Sequence, residues 1–233
     1  MKTIVLKNAK LITNIQTAEP ATIVLQNGKI KSVIHDKEQV PGDVIYDLNG
    51  MIVTPGLCDI HTHGAGGFWG FSFNSEDVIN MARTLARFGV TSFLPTTVSM
   101  PRDATRKMVS SIRQAMSRQP GAAVFDDSAV RSPGEGARIL GINVEGPFLS
   151  REKPGAHNPM NLRDVDLNET EELITAGEGF IKIWTLAPEI PQGLEAIEML
   201  SSRGIVVSLG HTNCTYDVAK EAVLRGARLF THL

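Results

Sequence analysis

The chain is organised around the stretch Ile52-Val-Thr-Pro-Gly-Leu-Cys-Asp-Ile-His-Thr-His-Gly-Ala-Gly-Gly67. Its apolar run, from Ile52 to Ile60, predicts a strand that carries His61 and His63 at its end. Residues i and i+2 of a strand point to the same face, so both imidazoles can meet one metal ion. One strand supplies only part of a coordination sphere. We therefore expect the remaining ligands elsewhere in the chain.

Composition restricts the class of protein. The 233 residues suffice for one large domain, or for one domain with a small appendage. A net charge of −2 argues against a general nucleic-acid binder. Cys58 and Cys214 lie far apart and fit a reducing compartment rather than a disulfide framework. Neither a membrane span nor a signal peptide is visible. We expect a cytoplasmic protein that acts on a small molecule, without nucleic-acid or membrane partners.

The predicted secondary structure changes near residue 52 from short strands to alternating strands and helices, which predicts two domains. Residues 1–51 contain short β-branched runs with turns at Asn27-Gly28 and Pro41-Gly42, and they predict a small antiparallel sheet. Residues 52–233 alternate apolar strands with helices. That alternation predicts an α/β domain with a parallel sheet covered by helices.

Candidate metal ligands follow the strands of this second domain. His61, His63, Glu145, His211 and His232 fall at the carboxyl ends of four of the six predicted strands. A (β/α)8 TIM barrel places its site at that end of its strands. An open doubly wound sheet is the alternative, but its sites concentrate at one switch point. The pattern predicts a barrel that is incomplete, with about six βα units.

The residue types predict metal-assisted hydrolysis. The Glu145 carboxylate follows a buried strand, where it is costly unless it is paired or ligated. Mixed histidine and carboxylate ligation suits zinc, iron or manganese, as one ion or two. Such an ion activates water and polarises a carbonyl, which suits cleavage of an amide or ester. The reaction also needs a proton carrier, and the remaining residues offer no convincing one.

Several longer stretches are specific enough to indicate a family. They are Pro55-Gly-Leu-Cys-Asp-Ile-His-Thr-His-Gly64, Leu94-Pro-Thr-Thr97, Gly141-Ile-Asn-Val-Glu-Gly-Pro-Phe-Leu149, Pro154-Gly-Ala-His-Asn-Pro159, Leu186-Ala-Pro-Glu189, Ser208-Leu-Gly-His-Thr212 and Thr231-His-Leu233. With these the chain resembles the N-acetylglucosamine-6-phosphate deacetylases of the amidohydrolase superfamily. The His-x-His pair is shared across the superfamily, whereas Glu-Gly-Pro with Gly-Ala-His-Asn-Pro is particular to this deacetylase.

The resemblance implies a ligand set. Glu145, His211 and His232 match the residues that hold the principal metal. His61 and His63 match a pair that holds a second ion in some members, while other members lack the pair and use one ion.

The resemblance also implies substrate contacts and a longer chain. The family's contacts fall on Ala156, through its backbone, and on His157, near the acetyl group. In the family the Thr-His-Leu motif continues into an Asn-Ala segment, further arginine and histidine contacts, and an aspartate that serves as general acid/base. This sequence stops at Leu233, inside that motif. We therefore expect an N-terminal fragment without the general acid/base, and a homodimer when the protein is complete.

The predicted activity is hydrolysis of the acetamide of N-acetylglucosamine 6-phosphate to acetate and glucosamine 6-phosphate, a step of amino-sugar catabolism. The fragment alone is expected to be inactive. Two alternatives stay open. One is another amidohydrolase, dihydroorotase-like or an amino-acid deacetylase. The other is a non-catalytic chain that associates through exposed strand edges.

Overall fold

The structure is a computed structural model that describes residues 3–27, 29–35, 40–119 and 136–233. The chain divides into two compact units, and the division after the N-terminal sheet falls between Leu57 and Cys58. Each helix in the described ranges is too short or too polar to cross a lipid bilayer.

The N-terminal unit contains a five-stranded sheet. Its strands are β1 (Thr3–Ile12), β2 (Thr17–Gln26), β3 (Lys29–Ile34), β4 (Val44–Asp47) and β5 (Ile52–Val53). The first three strands pair in antiparallel fashion, and Gln26 faces Lys29 across the predicted hairpin turn, of which Gly28 lies outside the described residues. β4 and β5 pair with β1 in parallel. The prediction of an antiparallel sheet is therefore wrong for these two strands, because they join the free edge of β1 instead of forming hairpins.

The apolar run from Ile52 to Ile60 is not one strand, contrary to the prediction. Ile52 and Val53 pair with β1, and a new strand begins only at Leu57. Pro55 lies between the two strands. Proline cannot donate a ladder hydrogen bond, and the glycine that follows it weakens strand structure further. The break leaves His61 in the second strand and His63 just beyond it, so the predicted histidine pair stays together.

The second unit alternates strands and helices. In chain order it contains β6 (Leu57–Thr62), β7 (Gly64–Ala65), β8 (Phe68–Trp69), α1 (Ser75–Ala86), β9 (Val90–Pro95), α2 (Arg102–Arg118), β10 (Arg138–Ile139), β11 (Ile142–Glu145), a 3-10 turn (Pro159–Asn161), α3 (Leu167–Gly177), β12 (Ile181–Leu186), α4 (Gly193–Ser202), β13 (Val206–Leu209), α5 (Tyr216–Leu224) and β14 (Ala227–Phe230). Asn74 caps α1 and Thr215 caps α5 through their side-chain oxygens.

The main strands of this unit run side by side. One group has the order β10-β9-β6, another has the order β11-β12-β13-β14, and a bridge between Thr96 and Asn143 connects the two groups. The pairings from β11 to β14 are all parallel. The prediction of an α/β barrel with about six βα units is confirmed.

The core of the second unit lies between the strands and their covering helices. Trp184 and Val207 on the strands and Val78 and Ile112 on the helices are completely buried. Burial of an aliphatic or aromatic side chain of this size contributes roughly 1.5–3 kcal/mol. Strands β11 and β12 are buried almost throughout, as is typical of parallel strands covered on both faces, whereas β6 and β14 are partly exposed. The carboxyl ends of the strands carry the polar residues described next.

Candidate metal centre

Glu145 is the centre of a cluster that contains five of the six histidines of the chain. It ends β11, and only 1% of its surface is exposed. Its Oε1 lies 3.1 Å from Nε2 of His211 and 3.0 Å from Nε2 of His232. Its Oε2 lies 3.0 Å from Nε2 of His63, 3.4 Å from that of His61 and 3.5 Å from that of His157. The structure thus brings all five predicted metal ligands together.

His211 and His232 occupy equivalent places, two residues beyond β13 and β14. Both have a left-handed backbone, with φ of 50° and 61°. This conformation costs a non-glycine residue roughly 1–3 kcal/mol and is concentrated at functional sites. The ends of β13 and β14 pack so closely that a Cβ added at Gly210 would lie only 2.7 Å from Cβ of Thr231. The two residues with this left-handed backbone are also the two whose Nε2 atoms contact Oε1 of Glu145.

Hydrogen bonds to the backbone fix the tautomers of His63 and His211. Nδ1 of His63 lies 3.3 Å from the carbonyl oxygen of Thr96, and Nδ1 of His211 lies 3.2 Å from that of Lys153. A carbonyl oxygen only accepts, so Nδ1 carries the proton in both neutral rings. Each Nε2 then presents its lone pair towards Glu145. This is the arrangement of a histidine that binds a metal through Nε2.

His157 has the opposite tautomer. Its Nδ1 accepts a hydrogen bond of 3.1 Å from the backbone N–H of Ser99, so its proton lies on Nε2. The residue lies in a loop rich in proline and glycine, and such loops are usually exposed. Its side chain is nevertheless buried beside His211, with ring centroids 4.7 Å apart. His157 is therefore a hydrogen-bond donor within the cluster. Its neighbour Ala156 is exposed.

The imidazoles control the charge of the buried carboxylate. Burial alone raises the pKa of Glu145, but contacts with His157, His211 and the His61–His63 pair outweigh it and hold that pKa well below its usual range. In return, Glu145 accepts a hydrogen bond from Nε2 of His211 once that ring is protonated, and this raises the pKa of His211 against the opposing effect of burial.

The donor set fits a divalent metal ion. Nε2 of His61 is fully buried and has no hydrogen-bond partner among the described residues, although it lies near Glu145. In the neutral rings of His63 and His211, whose Nδ1 carries the proton, the Nε2 lone pairs repel the carboxylate unless a proton or a metal cation lies between them. Two triads can hold such ions, His61-His63-Glu145 and Glu145-His211-His232, and within each the ligand atoms lie within 4.8 Å of one another. Nitrogen and carboxylate ligands of this kind suit zinc, iron or manganese.

A cavity of about 330 Å³ adjoins the cluster. Its polar lining comes from His61, Asn143, Ser208, Thr231 and His232. The volume falls within the range of small-molecule sites. The cavity is also lined by Ile183 and Leu229 of the strands, and it borders the ligands His61 and His232.

The contacts that orient the histidines are absent from the sequence prediction. Thr96 and Lys153 act through carbonyl oxygens and Ser99 through its N–H, so their side chains give no signal. Asn143 donates a hydrogen bond of 2.9 Å to the carbonyl oxygen of Ile60 and so ties β11 to β6. A buried asparagine two residues before Glu145 is the one feature that could have indicated this support.

Comparison with known proteins connects the cluster with named relatives. No protein-family model matches the chain. The chain is 37% identical over 204 residues to the N-acetylglucosamine-6-phosphate deacetylase of Bos taurus. The aligned region covers 84% of the chain and 46% of that protein. It is 30% identical over 230 residues to the deacetylase of Haemophilus influenzae, and this alignment covers 97% of the chain and 55% of the relative. The chain spans about half the length of the curated relatives it matches.

Solved structures agree. The deacetylase of Pasteurella multocida superposes with a TM-score of 0.85 at 29% identity, over 99% of this chain and 56% of that one. A Mycobacterium smegmatis deacetylase, in complex with N-acetyl-D-glucosamine-6-phosphate, gives a TM-score of 0.81 at 28% identity, over 100% and 56% of the two chains. The fold and the histidine–glutamate cluster define a member of the metal-dependent amidohydrolase superfamily. Within it, the curated relatives that the chain matches at 30–38% identity are N-acetylglucosamine-6-phosphate deacetylases.

Proposed function

We propose that the whole protein hydrolyses the acetamide of N-acetylglucosamine 6-phosphate to acetate and glucosamine 6-phosphate. One observation carries the proposal. A buried carboxylate at the mouth of a parallel barrel is surrounded by five imidazoles, in a chain homologous to deacetylases named for this substrate. The substrate is assigned from the activity for which the relatives are named, and the histidine and carboxylate ligands suit a metal ion that promotes hydrolysis.

In this proposal the two triads divide the metal ligands. Glu145, His211 and His232 hold the principal divalent ion, which is zinc, iron or manganese. His61 and His63 hold a second ion together with Glu145. A bound ion lowers the pKa of a water molecule and polarises the amide carbonyl. The backbone carbonyls behind His63 and His211 keep the ligand nitrogens deprotonated and correctly turned.

His157 and Ala156 are the proposed substrate contacts. Nε2–H of His157 donates to the acetamide carbonyl oxygen, and this hydrogen bond strengthens as negative charge develops there. Ala156 contacts the substrate through its backbone, which its exposed place beside His157 allows. The water oxygen joins the carbonyl carbon, the C–N bond breaks, and the leaving nitrogen takes a proton. We assign no residue of this chain to that proton transfer and propose that a residue outside this sequence performs it.

Acetate release by the natural protein that contains this chain tests the proposal. Glu145→Gln removes the charge that both triads share, and we expect a loss of at least about 100-fold, because loss of an outer support alone costs 10–100-fold. The matched control is Glu221→Gln, since Glu221 lies on α5 and pairs with Arg225. Faster turnover of dihydroorotate or of an N-acetylated amino acid would contradict the assigned substrate. Equal activity of the Glu145 variant and the parent would contradict the assigned site.

We further propose that the whole protein is a cytoplasmic homodimer. The support is the resemblance to deacetylases that are commonly dimeric. Sedimentation of the natural protein tests this, and a monomer at micromolar concentration would contradict it.

A further inference from the structure

Arg163 connects three segments around the cluster. Its Nε and Nη2 donate to the two oxygens of Glu169, at 2.9 and 2.5 Å. Its Nη1 donates to the carbonyl oxygen of Met100 at 3.0 Å and to that of Asn161 at 2.8 Å. Its backbone N–H donates to the carbonyl oxygen of Pro147 at 3.2 Å. One residue thus links the loop after β9, the loop after β11 and the first turn of α3.

The segments that Arg163 connects are those that hold His157. The N–H of Ser99 donates to Nδ1 of His157, and the carbonyl oxygen of Ser99 accepts a 3.0 Å hydrogen bond from Nδ2 of Asn161. Met100, the residue after Ser99, is bound directly by the guanidinium. If the hydrogen bonds from Arg163 to the carbonyl oxygens of Met100 and Asn161 are lost, the guanidinium no longer links the two loops that orient the His157 ring.

We propose that Arg163 is a positioning residue for His157 in the proposed deacetylase reaction. It acts through the loops, because its hydrogen bonds in the described part of the chain go to Glu169 and to backbone carbonyl oxygens and not to the proposed metal ligands. Its guanidinium sets the distance between Ser99 and the His157 loop, and so keeps the Nε2–H of His157 directed at the site beside Glu145. This inference rests on the proposed function, because the donor role of His157 matters only if an acyl oxygen binds there.

The chemistry of the contact requires arginine. The carboxylate of Glu169 is 2% exposed, so it needs a charged partner that satisfies both of its oxygens. Arginine offers a planar fork for that carboxylate and keeps Nη1 free for the two carbonyls, whereas lysine offers three donors around a single point. Arg163→Lys should therefore keep the charge pair and lose the link between the loops.

A double-mutant cycle on the natural, zinc-loaded protein tests the inference. The variants are Arg163→Lys, His157→Ala and their combination. A fourth variant, Arg163→Met with Glu169→Leu, removes both charges so that none is left buried and unpaired. The control is Arg203→Lys, because Arg203 binds Glu171 with a similar fork but links no loop of the site. The measurements are kcat and KM for acetate release, zinc affinity, and the ¹⁵N resonances of the His157 ring.

We expect Arg163→Lys to lower kcat by about 10–100-fold with little change of KM, since displacement of a catalytic group by about 1 Å costs rates of that order. The Met/Leu variant should do the same and retain its zinc. The ¹⁵N pattern of the ring should lose its single Nε2–H form. In the His157→Ala background, Arg163→Lys should have no further effect on kcat.

Equal losses from Arg163→Lys in both backgrounds would overturn the inference, as would a parent-like kcat in the Met/Leu variant. An inactive parent protein would contradict the proposed function alone. The ring resonances would then still decide whether Arg163 positions His157.

Discussion

Gly155→Ala should weaken metal binding through a steric effect on His211. Gly155 has a left-handed backbone with φ of 56°, and a Cβ at this position would lie 2.7 Å from Cε1 and 3.0 Å from Nδ1 of the His211 ring. The ring must move by at least about 0.7 Å to reach the ordinary contact distance of 3.4 Å. That shift pulls Nδ1 from the Lys153 carbonyl oxygen and exceeds the roughly 0.2 Å tolerance of a metal–ligand bond.

The expected loss is about 10–100-fold in zinc affinity, or roughly 1.4–2.8 kcal/mol. Competition with a chromophoric chelator measures it on the purified chain. Gly179→Ala is the matched control, because Gly179 also has a positive φ, 81°, but a Cβ there meets nothing within 4 Å. It should be destabilised by roughly 1–2 kcal/mol of backbone strain and bind zinc like the parent. A folded Gly155 variant with parental zinc affinity would refute the assignment of His211 as a ligand.

Two further predictions concern pH and packing. Because the hydrogen bond to Glu145 raises the pKa of His211, the protonated ring stabilises the metal-free fold below its unfolded pKa of 6.5, and this stability is lost as pH rises through the raised value. Zinc must displace the same proton from His211, so zinc affinity should increase with pH over that window. Urea titrations between pH 6 and 8 measure the stability of the metal-free fold, and chelator competition over the same range measures zinc affinity. If stability and zinc affinity changed with pH in the same direction, the proposed link through the His211 proton would be contradicted. Trp184→Phe should lower the free energy of unfolding by roughly 1–3 kcal/mol, since Nε1 of Trp184 donates a buried hydrogen bond of 3.1 Å to the carbonyl oxygen of Gly146. An unchanged urea midpoint would exclude this role.

The fold and the ligand set follow from patterns that act locally. Apolar runs end in His61, Glu145, His211 and His232, of which the last two lie one βα unit apart, and parallel strands bring such ends to one edge. The cap of α5 at Thr215 follows from side-chain hydrogen bonding to the first turn. The physical rules that create these elements involve residues close in sequence, so the sequence shows them directly.

The rest depends on contacts between distant residues. The break at Pro55 decides which sheet receives Ile52, and it competes with an apolar run that favours one continuous strand. The burial of His157 depends on the N–H of Ser99, 58 residues away. A backbone group is the same in every residue type other than proline, so no sequence pattern records such a contact. Only the resemblance to the deacetylases indicated that His157 belongs to the site.

The most direct test of the metal centre is anomalous diffraction at the zinc edge from crystals of the zinc-loaded protein. We predict a peak about 2.0–2.2 Å from a Glu145 carboxylate oxygen and from Nε2 of His211 and of His232. A second peak between Glu145, His61 and His63 would show that both triads are occupied. Zinc bound elsewhere, with the five imidazoles still gathered around a metal-free Glu145, would contradict the account.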